Sequence, residues 1–241
     1  MKKLILLGFG LLFITTSNAQ WGLKRIKGNG DVITKERNVG DYDRITVSGH
    51  INVELISGQE GQLTIEAEEN FMEYILTEVK DGKLKIRIKK NYNLKPSRGE
   101  KIVITVPYED ISSVALSGSG NVISKDVIKS NSFSAYVSGS GGMNLDLNTS
   151  NIEGKVSGSG NLRLKGKTSD INFKVSGSGN IQAYELIADN ADILASGSGN
   201  IRVFCEESIK ARVSGSGNVL YKGNPDREDS KVSGSGNISK S

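Results

Sequence analysis

Ser117-Gly118-Ser119-Gly120-Asn121 is the first of seven nearly identical pentapeptides, and the others begin at Ser138, Ser157, Ser176, Ser196, Ser214 and Ser233. Only the second copy departs from the pattern, reading Ser138-Gly139-Ser140-Gly141-Gly142. Neighbouring copies are 18 to 21 residues apart. A near-constant period of that length describes a solenoid in which each repeat is one turn and needs its neighbours to bury its apolar face.

The flanks of the motif say how each turn is built. The residue before each first serine is Leu116, Val137, Val156, Val175, Ala195, Val213 or Val232, and the residue after the fifth position is Val122, Met143, Leu162, Ile181, Ile201, Val219 or Ile238. All are apolar, and the two sites lie six residues apart, so in an extended chain they point to one face. By the same count the two glycines face inward while both serines and the asparagine face outward. Glycine suits a tight corner, and stacked asparagine amides suit a ladder from coil to coil. Stacking gives parallel strands about 4.8 Å apart. The strict hexapeptide period of left-handed β-helices is absent, so the expected fold is all-β: a right-handed, single-stranded parallel β-helix.

The first half carries the same plan in weaker form. Ser48-Gly49-His50-Ile51-Asn52 reads as a degenerate copy, and alternating apolar residues mark strands at 51–56, 63–67, 84–88 and 102–106. Phe71, Met72, Ile75 and Leu76 follow helical spacing, which predicts one short helix near 69–79 ahead of the Asp81-Gly82 turn. The expected organisation is a signal peptide over 1–19, a strand-rich part of the β-helix over 20–110 and the repeat β-helix over 111–241.

The signal peptide reading rests on Lys2 and Lys3, an apolar run from Leu4 to about Ile14, and Ser17-Asn18-Ala19, with cleavage expected after Ala19. It predicts export, with no transmembrane segment in the mature chain. The formal charge is +4, of which Lys2 and Lys3 supply two units, and no basic stripe alternates with aromatics. Nucleic acid is therefore not an expected partner. Lys83, Lys85, Arg87, Lys89 and Lys90 read as one solvated strand face.

No motif copy is followed by Lys-Ser or Lys-Thr or opens a helix, as a phosphate loop would require. None carries the aspartate of a calcium-binding β-roll. His50 is the only histidine and reads as an exposed turn residue. Cys205 is the only cysteine, reads as a half-buried packing residue, and allows no disulfide or cysteine pair for a metal. No catalytic residue, cofactor site or metal site is expected. One carboxylate pair warrants attention, because Asp170 and Asp189 each lie thirteen residues after a motif serine, with Asn151 at that place one coil earlier. Stacked, they would approach the ~5 Å separation of retaining glycosidases.

The remaining candidate is the outer face. Its expected binding residues are Ser117, Ser119 and Asn121; Ser157, Ser159 and Asn161; Ser176, Ser178 and Asn180; Ser196, Ser198 and Asn200; and Ser214, Ser216 and Asn218. Regular hydroxyls and amides match a polysaccharide or a surface protein. Small polar residues also simply suit a solvent-facing coil.

The chain resembles the head-GIN-domain family of auto-transporter adhesin heads, known mainly from Bacteroidetes-type bacteria. The resemblance is carried by Gly28-Asn29-Gly30-Asp31-Val32, Ile45-Thr46-Val47-Ser48-Gly49, Val53-Glu54-Leu55, Asp81-Gly82-Lys83-Leu84-Lys85-Ile86, Val103-Ile104-Thr105-Val106-Pro107 and the SGSGN copies. It implies a right-handed, pectin-lyase-like β-helix without the catalytic residues of pectin lyases, a role in cell adhesion and, with the signal peptide, a place in the periplasm or on the outer surface of a Gram-negative-type cell. The readings that follow are an exported binding protein, a carbohydrate-active β-helix lyase or hydrolase, and a purely structural envelope protein. Self-association through the C-terminal coil is a further expectation, since an uncapped strand edge pairs with other chains.

Overall fold

The structure is a computed structural model describing residues 23–241. The expected signal peptide and its cleavage site lie outside those residues. An 18-stranded sheet winds through the molecule as a parallel β-solenoid of about seven turns, and the short pair Lys24–Lys27 and Tyr92–Lys95 forms a second sheet.

The repeat sets the register. Ser113–Gly118 pairs in parallel with Ile128–Gly139, which pairs with Gly142–Gly158, then Asn161–Gly177, then Asn180–Gly197, then Ser208–Gly215 and finally Arg227–Gly234. Every step matches motif serine with motif serine. The degenerate copy belongs to the stack, since Ser48 pairs with Ser117 and Val53 with Val122.

The interior follows from the alternation. Val47, Leu116, Val137, Val156, Val175, Ala195 and Val213 form one stacked column, each no more than 2% exposed. Next to it Ala135, Gly154, Phe173 and Ile193 stack in another, where small and large residues interdigitate. A Cβ on Gly154 would lie 2.7 Å from the Phe173 ring, so this glycine is where the ring fits. Midway round the coil the buried hydroxyls of Thr149 and Thr168 donate to the Asn151 and Asp170 carbonyls at 3.0 and 3.3 Å, closing a second corner.

Antiparallel strands cover the N-terminal end. Val32–Asn38 pairs with Gln62–Glu68, which pairs with Val103–Tyr108, and Ile75–Lys80 pairs with Lys83–Ile88. The helix expected near 69–79 is only the three-residue 3-10 turn Glu69–Phe71, followed by a turn over 72–74 and then the strand Ile75–Lys80. The Asp81-Gly82 turn explains the difference. Both residues have positive φ, 54° and 65°, which is the geometry of a two-residue hairpin that demands a strand on either side. The Arg37 guanidinium then holds the intervening loop by donating to the Ile75 and Met72 carbonyls at 2.6 and 3.2 Å.

Under this cover, Glu68 is 1% exposed and accepts from the Gly30 N–H at 2.7 Å, the Ser97 hydroxyl at 2.6 Å and the Ser97 N–H at 3.0 Å. Burial by itself would raise its carboxyl, but the donors at Ser97 and Gly30 outweigh that, and it stays below the ordinary carboxylate value. A Cβ on Gly28 would sit 2.0 Å from that carboxylate, so the glycine-rich start is shaped to wrap it.

Candidate functional site

The motif is a corner. Its first glycine has positive φ in every coil, from 98° at Gly49 to 127° at Gly118. In most coils the carbonyl of that glycine accepts two N–H groups from the next coil, as where Gly158 O receives Ser178 N at 2.9 Å and Gly179 N at 2.8 Å. A Cβ on Gly177 would fall 2.6 Å from the same carbonyl. The expectation that both glycines face the core is thus corrected. The second is buried in every copy but the last, while the first is partly or fully exposed and is needed for its φ and for the close carbonyl beneath it.

The two serine columns lie on the surface. Of the candidate serines, Ser117, Ser119, Ser157, Ser159, Ser176, Ser178, Ser198, Ser214 and Ser216 are exposed and Ser196 is half-buried. Among the described residues none of their hydroxyls makes a hydrogen bond, whereas their backbones are held by the ladder. They form a rigid array of unengaged hydroxyls.

The asparagines behave differently. Asn180 Nδ2 donates to Asn161 Oδ1 at 3.0 Å, Asn200 Nδ2 to Asn180 Oδ1 at 3.1 Å, and Asn218 Nδ2 to Asn200 Oδ1 at 2.9 Å. Asn121 Nδ2 likewise donates to Asn52 Oδ1 at 3.1 Å. Each amide points its NH2 at the coil before it. Asn52 was not among the expected site residues, and its place in the degenerate copy is the signal that reveals it. Beside the column, Arg163 donates to Gln182 Oε1 at 2.8 Å, Lys125 pairs with Glu54 at 3.0 Å, and Lys165 pairs with Asp146 at 3.0 Å.

The carboxylate pair is not assembled. Asn151 does stack on Asp170, but Asp170 stacks on Asn190, with Asn190 Nδ2 donating to Asp170 Oδ1 at 3.1 Å. One extra residue enters the later coil where the register shifts between Arg163 and Lys165, which moves Asp189 out of line. The two carboxylates line different depressions, Asp170 beside Asn172 and Asp192, Asp189 beside Lys167 and Ser169.

His50 is half-buried rather than exposed, and burial lowers its pKa from the ordinary value. Cys205 is fully buried rather than half-buried, and burial, aided by Glu206 and Glu228, pushes its thiol up to about 11. Among the described residues no group of three His, Cys, Asp or Glu side chains is placed to hold a metal ion, and no helix is long and apolar enough to cross a membrane.

Fold and surface together define an all-β parallel β-solenoid with a closed apolar interior and a stacked polar face. The chain belongs to the family described as "Putative auto-transporter adhesin, head GIN domain", whose model matches residues 41–225. Crystal structures share the fold. One described as a putative adhesin from Bacteroides fragilis is 24% identical, with a TM-score of 0.83, over 90% of this chain and 100% of that one. Another, described as a putative lipid binding protein from Parabacteroides distasonis, is 29% identical with a TM-score of 0.76 over the same shares. A putative adhesin from Parabacteroides merdae is 21% identical with a TM-score of 0.71, over 90% of this chain and 99% of that one. No curated protein matches the chain significantly.

Proposed function

We propose that the protein is an exported, non-enzymatic adhesin-type binding protein that holds a polysaccharide, or a glycan-bearing surface protein, along its serine and asparagine columns at the cell envelope. The observation that carries this reading is the array of motif serines: hydroxyls exposed, unengaged and repeated at the coil spacing of about 4.8 Å. Such an array offers a polymer many weak, aligned contacts with little ordering cost, because the face is rigid before binding. Family membership supports export to the periplasm or the cell surface. A polar polymer is favoured over a lipid because the interior is filled by side chains such as Leu145, Phe173 and Ile193, each 0% exposed, and the free motif hydroxyls lie on the outer face.

A glycan array probed with the purified exported protein tests the binding, and retention of no glycan would count against the polysaccharide reading. Protease treatment of intact cells separates the two locations, since only a surface protein is cut. Self-association belongs to the same reading. Arg227–Gly234 pairs along one side with Ser208–Gly215, and Val232 is 41% exposed. Yet Glu228 and Ser230 stand where the preceding coil has Ile209 and Ala211, so the contact would run through backbone rather than a broad apolar face. Sedimentation velocity across a wide concentration range should show a Val232→Lys variant associating less than wild type.

A further inference from the structure

The asparagine column has one gap, and the gap is chemically specified. Gly142 occupies the asparagine position of its coil, stacked between Asn121 and Asn161. Backbone geometry does not call for glycine here, since Gly142 is not among the residues with positive φ. Backbone crowding does not call for it either. A Cβ would meet no backbone atom, only the end of one exposed side chain, Asn121 Oδ1, at 2.9 Å, which has to swing aside slightly to admit it.

Both neighbouring amides are oriented by the rest of the column. Asn161 Oδ1 is taken by Asn180, which turns the Asn161 NH2 towards the gap, where it has no hydrogen-bond partner among the described residues. Asn121 Nδ2 is taken by Asn52, which turns the Asn121 carbonyl oxygen towards the gap from the other side. The notch therefore presents one donor and one acceptor, each oriented by its bond to the neighbouring coil and separated by the space of a missing carboxamide. It lies in a depression of about 450 Å³ that is also lined by Ile123, Asn144 and Arg163.

We infer that the Gly142 notch is a subsite for a ligand amide, the acetamido group of an N-acetylated sugar in a glycan. The sugar's amide N–H donates to Asn121 Oδ1 and its carbonyl accepts from Asn161 Nδ2, restoring the pattern that an asparagine at 142 would have made. The half-exposed Ile123 offers an apolar contact for the acetyl methyl, and the Arg163 guanidinium, already held by Gln182, borders the ring hydroxyls. This inference rests on the proposed glycan binding and names the group that one point of the face selects.

The test follows the side-chain amide NMR signals of Asn121 and Asn161 in the purified exported protein during titration with chitotetraose, and with cellotetraose, which lacks acetamido groups. Chitotetraose should move both signals and bind at least about tenfold more tightly than cellotetraose, the worth of two oriented hydrogen bonds. Gly142→Asn should fill the notch, keep or raise the melting temperature and remove that preference. Asn161→Asp, of the same shape but without the donor, should weaken chitotetraose binding in a folded protein. If both sugars bind alike, or Gly142→Asn leaves the preference intact, the notch assignment is overturned while glycan binding by the face stands. Unmoved amides beside glycans retained on an array overturn the notch alone. Unmoved amides with an empty array overturn both.

Discussion

At the scale of single residues, the chain uses glycine for three separate reasons. Gly177 has a φ of 110° and a carbonyl 2.6 Å from where its Cβ would be. Gly177→Ala should cost at least about 2 kcal/mol from strain and the displaced carbonyl, measurable by urea denaturation. Gly154 has ordinary backbone geometry and leaves room for the Phe173 ring. Gly154→Ala should destabilise by about 1–3 kcal/mol, and Phe173→Leu should recover part of the loss in the double variant. Additive effects in that cycle would show that the two do not share a space. Gly142 is the third kind, near the surface with no backbone demand and only the Asn121 amide oxygen in the way of a Cβ. Glu68 carries a pH signature. Its native carboxyl lies below the ordinary value, so its contribution is fully present above the unfolded-state pKa and is lost as the pH falls through that value towards the native one. Glu68→Gln should lower stability at neutral pH by about 1–3 kcal/mol and flatten the acid limb of a melting-temperature profile. An unchanged limb would locate the acid sensitivity elsewhere.

At the scale of elements, the sequence was most legible where one coil repeats another. Apolar residues on both sides of each SGSGN copy placed the core columns, because a parallel stack keeps equivalent residues in equivalent environments. Three features escaped that logic. The bulge between Arg163 and Lys165 adds a residue without changing the motif on either side, so counting from the motif put Asp189 where Asn190 belongs. The segment around Phe71 to Leu76 is short, and short apolar runs fit helix and strand alike, so the hairpin at Asp81-Gly82 decided it. The corner threonines Thr149 and Thr168 look like surface residues in the sequence, and their burial depends on carbonyls that only the folded coil supplies. The candidate face was half legible: serine exposure followed from alternation, but the direction of the asparagine amides, and hence the unpaired groups around Gly142, required the neighbouring coils. A direct check of the inward stacking is Val175→Asp, which would bury an unpaired carboxylate in a column 1% exposed. Loss of the cooperative melting transition is expected, and a wild-type far-ultraviolet dichroism spectrum and melting curve would contradict the core assignment.

At the scale of the whole molecule, the core and the surface have separate tasks. The interior is a continuous apolar rod sealed at one end by antiparallel strands, and it fixes the spacing of everything outside. The exterior carries a hydroxyl array that the fold does not consume and an amide ladder that it does, interrupted at Gly142. Binding along the array is the central claim. It is tested most directly by the affinity of the purified protein for the tightest glycan found on an array, compared with that of a variant carrying Ser157→Ala, Ser159→Ala, Ser176→Ala and Ser178→Ala. The account predicts at least about a tenfold loss of affinity with an unchanged melting temperature, since these hydroxyls support no internal hydrogen bond. Undiminished affinity in the folded variant would contradict it.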